Sequence, residues 1–418
     1  MRNGGERGGV VPIRISSADE AAHLSLRARG RSLKPALWSV AAWPATRRPP
    51  RCELCYAPLP SRHGFELARS MPAKIVHVNT ARGYRGGERQ TELLIRGLAT
   101  RGVHQALVAR RGGPLAARIR SIGIDVREVG SNLLSVARAA RDASLIHVHE
   151  GRSVYAAYLR SLLSGTPYVV TRRVNNAIRD HWLAHRAYRG ASCVAAVAPQ
   201  VADVVRAYDP AISLTVVHSA SSGLSVDAAV SGAIRERFRG KFVAGHVGAL
   251  DNGQKGQEYI IAVAREIEHS HPDVHFVLVG GGDDEAMLKA AAAGLTNVTF
   301  TGFVDNVGDY LAAFDVFILP SNREGIGSIL LDAMNQRLPV VASRVGGVPD
   351  IVHHGENGLL IDPASPSQLR DAILTLKAQP ELRRACGERG RAFANDFTAD
   401  VMWRKYFAIY ESVLGRLH

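Results

Sequence analysis

From residue 74 onward, short apolar runs rich in β-branched residues alternate with stretches whose apolar positions recur every three or four residues. In the first half the runs fall at 74–78, 105–109, 125–129, 145–149, 167–171, 194–198 and 214–218. In the second they fall at 242–247, 274–279, 298–302, 316–319, 340–342 and 358–361. Runs this short and this uniformly apolar predict strands buried on both faces, and the stretches between them predict helices. Regular strand–helix alternation predicts parallel sheets joined by right-handed crossovers. The glycine-bounded, charged stretch 232–240 predicts a linker, so the expected fold is α/β, with two Rossmann-like domains facing across a cleft. Trp403, Phe407, Tyr410 and Leu414 share one helical face near the end. The expected organisation is an extension at 1–70, domains at 71–235 and 241–393, and a C-terminal helix at 394–418 packing back on the first domain.

Composition changes this picture in three places. A length of 418 residues suits two domains of ordinary size. Residues 1–70 lack periodicity and hold twelve Arg or Lys against five Asp or Glu, half of the net charge of +14. They are expected to be a disordered or non-native extension, with Met71 as a natural start. The basic balance fits anionic partners but carries no nucleic-acid motif, so nucleic acid is not an expected partner. No run of about 18 apolar residues predicts a membrane span. Four cysteines, two inside apparently folded segments, fit a reducing compartment. The expected location is therefore cytoplasmic, with peripheral contact at the inner membrane face left open. Cys52 and Cys55 form a lone CxxC with only His63 in the vicinity, short of the four ligands of a structural zinc. No metal is expected.

Candidate chemistry gathers in loops that follow strands. After the run at 316–319 comes Ser321-Asn322-Arg323-Glu324-Gly325-Ile326-Gly327, then a helical segment carrying Asp332. First-turn N–H groups of a helix favour an anion, while a carboxylate beside them favours hydroxyl donors, a pairing that suits a phosphorylated sugar. Gly86 and Gly87 precede a helix after the first strand, where glycine lets backbone N–H groups approach a ligand. Lys255 stands near a helix start, where its charge opposes the helix dipole unless an anion is shared. Gly280 closes a strand in a generic nucleotide-cleft turn. His149 ends a strand, and Arg172-Arg173 follows another. Gly346-Gly347-Val348-Pro349 reads as a structural turn.

The segment Asn322-Arg323-Glu324-Gly325-Ile326-Gly327-Ser328-Ile329-Leu330-Leu331-Asp332-Ala333-Met334 resembles the GT-B glycosyltransferases of family 4, a class of retaining enzymes. So do Gly346-Gly347-Val348-Pro349-Asp350-Ile351-Val352, Gly355-Glu356-Asn357-Gly358-Leu359-Leu360 and residues 297–305, and the likeness extends over 74–417. The resemblance implies transfer of a sugar, with retention, from a nucleotide-diphosphate-sugar donor to a hydroxyl acceptor. The acceptor would be a glycan, a glycolipid or a small molecule, in cell-surface glycan or glycolipid synthesis. It implies a catalytic set of Glu324, His149 and Arg173. Donor binding would fall to Lys255, Gly325, Ile326, Gly327, Asp332, Val304 and Gly280, with Gly86 and Gly87 as the phosphate or acceptor loop. It implies no cofactor and no metal, cationic side chains and helix N-termini neutralising the leaving diphosphate.

The chain departs from the family pattern at three positions. Asp332 replaces the usual Glu, Ala249 replaces a basic residue ahead of the lysine, and Arg173 falls where a histidine is common. An arginine stabilises negative charge but cannot shuttle a proton. Competing expectations are a non-catalytic nucleotide-sugar or glycan binder, and a sugar-nucleotide epimerase or phosphorylase-like enzyme on the same fold.

Overall fold

The computed structural model describes residues 73–415; the expectations for residues 1–70, the Cys52–Cys55 pair included, lie outside the described residues. The first half runs β1 (Ile75–Asn79), α1 (Gly86–Ala99), β2 (Gln105–Arg110), α2 (Pro114–Arg120), β3 (Asp125–Val129) and α3 (Leu133–Ala139). It continues with β4 (Leu145–Val148), α4 (Val154–Ser164), β5 (Tyr168–Arg172), α5 (Trp182–Arg189), β6 (Cys193–Ala196), α6 (Pro199–Tyr208) and β7 (Leu214–Val216). The second half runs α7 (Ala228–Glu236), β8 (Phe242–Val247), α8 (Asn252–Lys255), α9 (Gln257–Ile267), β9 (Val274–Val279) and α10 (Glu285–Ala291). Next come β10 (Val298–Gly302), α11 (Val307–Ala312), β11 (Val316–Leu319), α12 (Ile329–Asn335), β12 (Val340–Ser343) and α13 (Val348–Ile351). The chain closes with β13 (Gly358–Ile361), α14 (Pro366–Ala378), α15 (Pro380–Ala394) and α16 (Ala399–Gly415).

Two parallel sheets result, in the orders β3-β2-β1-β4-β5-β6-β7 and β10-β9-β8-β11-β12-β13. Each reverses direction once, between β1 and β4 in the first and between β8 and β11 in the second. At such a switch point the loops leaving two neighbouring strands diverge and open a crevice at their carboxyl ends. Both strands of each switch point are buried throughout, as crossover-covered parallel strands must be. The apolar core is continuous across the halves: Ala196, Val197, Ala198 and Val201 share one cluster with Phe317, Leu331 and Val348.

The observed strands match the expected ones within two residues at either end. Two local expectations need correction. The stretch 232–240 is not an open linker: α7 runs through Gly232 to Glu236, capped by Asp227, whose carboxylate accepts from Ala229 N and Val230 N. Helix α7 packs against α11 of the second half. Gly86 and Gly87 do not precede a helix but form its first turn, because Glu88 Oε2 accepts from the Arg85 N–H and starts α1 early.

Helix α16 returns to the first sheet, burying Met402, Trp403, Tyr406, Phe407, Tyr410 and Val413 against Leu94, Leu98, Leu145 and Val169. Gly97 makes room for it, since a Cβ there would lie 2.3 Å from the Trp403 ring. Among the described residues, no helix is long and apolar enough to cross a membrane.

Candidate active site

At the second switch point, the loop after β8 carries Asp251 to Lys255 and the loop after β11 carries Ser321 to Ser328. They are laced together by backbone, Asn322 N and Arg323 N both donating to Gln254 O, at 2.9 and 3.2 Å. Lys255 Nζ donates to Glu324 Oε1, forming a buried ion pair, and Ser321 Oγ adds a bond to the same oxygen at 3.4 Å. Lys255 ends the four-residue helix α8 and stands directly ahead of Gly256, the N-cap of α9, so it lies at a helix start as expected. Its anion is Glu324 itself.

Glycine lets this loop touch the first half. A Cβ on Gly325 would lie 2.0 Å from the Arg173 carbonyl oxygen. Gly346, in the left-handed region at φ +51°, would place a Cβ 1.8 Å from the Glu324 carbonyl oxygen. No other residue fits either position without moving backbone. Ile326 is sunk into the shared core, so only its backbone remains for a ligand.

Across from that loop stand the strand-end groups of the first half. The two arginines expected as a pair diverge. Arg172 is buried and donates to Asn176 O and Tyr188 Oη, a structural role. Arg173 lies against Gly87, with its Nε and Nη2 withdrawn from solvent and without a partner. Burial pulls its pKa below the ordinary arginine value. Unpaired buried donors are costly in a finished protein, and Arg173 has two of them where Arg172 has one.

His149 is not a lone histidine. It belongs to a buried trio with His77 and His147, whose ligand-capable nitrogens lie within 4.8 Å of one another. Gln105 Nε2 donates to Ile95 O, so its Oε1 must accept from His77 Nε2–H, at 3.1 Å. Neutral His77 then accepts at Nδ1 from His149 Nε2–H, at 3.1 Å, and His149 is left with a bare, buried Nδ1. Burial pushes the His77 pKa down to about 4 and holds His147 and His149 well below the ordinary value, so all three are neutral at pH 7. His147 is engaged at both nitrogens, with Tyr410 Oη at 2.6 Å and Thr171 Oγ1 at 2.7 Å. The trio is thus organised by hydrogen bonds as it stands. Sequence reading missed His77 and His147, although the alternation His147-Val148-His149 already places two imidazoles on one face.

The family model described as glycosyl transferases group 1 matches residues 241–379, the segment that builds the second switch point. The chain is 30% identical over 173 residues to N-acetyl-alpha-D-glucosaminyl L-malate synthase of Bacillus anthracis, covering 40% of this chain and 45% of that protein. It is 29% identical over 299 residues to alpha-maltose-1-phosphate synthase of Mycolicibacterium smegmatis, covering 62% and 76% of the two. Among solved structures, Anabaena HepE in complex with UDP and glucose superposes with a TM-score of 0.73 at 20% identity, over 81% of this chain and 99% of that one. The fold is GT-B.

Within the group 1 half, the remaining expected residues are placed as follows. Asp332 is buried on α12, and its Oδ1 accepts from the Ser222 N–H. Burial pushes its pKa up to about 7, against the opposing pull of that bond and of Arg89. Arg89, unforeseen in the sequence, donates from Nη2 to Ser222 O at 2.8 Å, so both side chains grip one residue between the sheets. Gly280, at φ +134°, is demanded by the Gly248 carbonyl, 2.0 Å from where its Cβ would be. Val304 packs on the shared core, while neighbouring Phe303 is 71% exposed.

Proposed function

We propose that the chain is a retaining glycosyltransferase that moves a sugar from a nucleoside-diphosphate-sugar donor to a hydroxyl acceptor, without a metal. The observation that carries this reading is the Lys255–Glu324 pair at the second switch point. A donor sugar with its diphosphate can replace both halves of that pair at once, phosphate oxygens taking Lys255 and sugar hydroxyls taking Glu324. Arg173 lies beside Gly87 with unused N–H groups, and supplies the cation missing at Ala249. Together they oppose the charge that develops on the leaving diphosphate. The GT-B neighbour HepE, solved in complex with UDP and glucose, supports a nucleoside-diphosphate-sugar donor.

His149 bears on where the acceptor proton goes. An imidazole that stays neutral far below pH 6.5 is a poor proton store but a serviceable hydrogen-bond acceptor. Its bare Nδ1 orients the acceptor hydroxyl, and the leaving phosphate takes the proton. His77 is a positioning residue, holding the tautomer that leaves Nδ1 bare.

Incubation with UDP-, GDP- and ADP-sugars tests the reading. Nucleoside diphosphate should appear only when an acceptor is present, with the anomeric configuration of the donor preserved in the product. Thermal stabilisation by a nucleotide sugar without turnover for any acceptor would instead make the chain a binder.

A further inference from the structure

The first switch point holds a cavity of about 410 Å³, within the usual size range of small-molecule sites. Its wall comes from four strand ends: Thr80 and Arg82 after β1, Arg110 at the end of β2, Ser131 after β3, and Glu150 to Ser153 after β4. Three arginines, Arg82, Arg110 and Arg152, line it against one carboxylate, that of Glu150. None of the three has an ion-pair partner among the described residues. Glu150 offsets only one of the three charges, and its oxygens are held by neutral donors on the cavity wall. Its Oε1 accepts from the Thr80 and Ser153 hydroxyls, each at 2.5 Å, and its Oε2 from the Arg152 backbone N–H at 3.3 Å. A concave site with surplus forked donors and its only acid already satisfied selects an oxyanion that can be held by two or more arginines.

We propose that this cavity binds the acceptor, and that the acceptor is a small hydroxyl compound carrying a phosphate or carboxylate. The acceptor role rests on the glycosyltransferase reading; the anion site itself does not. The arginines anchor the charged end, and the β1–α1 loop that bears Arg82 continues directly into Gly86 and Gly87 beside Arg173. The far end of the bound molecule is thereby directed toward the donor side.

The test has two arms on the full chain. In the first, binding of glucose 6-phosphate, glycerate and their neutral counterparts glucose and glycerol is measured by calorimetry in the absence of donor. The anionic members should bind, the neutral ones at least tenfold more weakly, and Arg110→Gln or Arg152→Gln should weaken anion binding about tenfold each. Equal binding of charged and neutral members, or anion binding unmoved by both substitutions, would overturn the proposal. In the second arm, the same pairs serve as acceptors with the best donor. KM for the charged member should rise about tenfold in each arginine variant while the donor dissociation constant holds. Binding of phosphatidylglycerol vesicles, added as a control, with all soluble anions ignored, would overturn the small-molecule acceptor and place the phosphate on a lipid head group. If no nucleotide sugar binds at all, the glycosyltransferase reading fails while the first arm still decides the anion site.

Discussion

The two switch points are built from the same parts and left in opposite states. Each sits where a parallel sheet reverses, and each presents one glutamate and nearby cations at the carboxyl ends of its strands. In the second sheet the glutamate and a lysine satisfy one another, so Lys255 and Glu324 are preorganised and electrically closed until a ligand separates them. In the first, Glu150 is consumed by two hydroxyls and a backbone N–H, and the arginines around it stay open to solvent. A closed pair suits a ligand with both donors and anions; an open cluster suits an anion alone. One fold device is thus left in two electrostatic states, one with its carboxylate paired to a cation and one with it held by neutral donors.

The largest effect should come from Glu324→Ala, which removes the acid at the closed pair. Sugar transfer should fall by about 10²–10³-fold or more, with far-UV circular dichroism unchanged; near-normal transfer would break the contrast at its centre. Next in size is Asp332→Asn. The folded-state pKa of Asp332 is raised, so the stability it contributes is present below its unfolded value and lost as pH rises through about 7. The asparagine variant should therefore match the natural chain near pH 4 and exceed it at pH 8 by on the order of 3–4 kcal/mol in urea unfolding. A pH-independent difference would mean that Asp332 is ionised in the folded protein. Glu150→Gln should lower unfolding stability by about 1–3 kcal/mol, as two charge-assisted hydroxyl bonds weaken. No loss would show that Glu150 is not the brace of the open cluster. The smallest effect is expected from Lys255→Ala, read as an increase of about tenfold in donor dissociation constant; unchanged donor affinity would remove Lys255 from the phosphate site.

Much of the scaffold was readable because parallel strands buried on both faces are written as unbroken apolar runs. Residues 242–247, 274–279, 298–302 and 316–319 were foreseen to the residue. Strand order was not readable, and with it went the neighbours: nothing local says that His77 pairs with His147 across β1 and β4. The same gap hid the grip of Arg89 and Asp332 on Ser222, whose partners lie 133 and 110 residues away in the chain. Glu324 is legible from its setting in a glycine loop, and Lys255 from its place beside a helix start. Their pairing with each other, 69 residues apart in the chain, is not legible locally. Glycines such as Gly325 and Gly346 were legible as types; what they make room for, the Arg173 and Glu324 carbonyls, required the fold.

The return of α16 to the first sheet has a consequence for how the chain is made. Tyr410 completes the hydrogen bonding of His147 from 263 residues away, and Tyr406 that of Thr171 from 235. At ribosomal rates, the sheet made first stands with its histidine face uncovered for on the order of tens of seconds. Biosynthesis thus leaves one apolar, imidazole-lined face exposed on the nascent chain until α16 emerges.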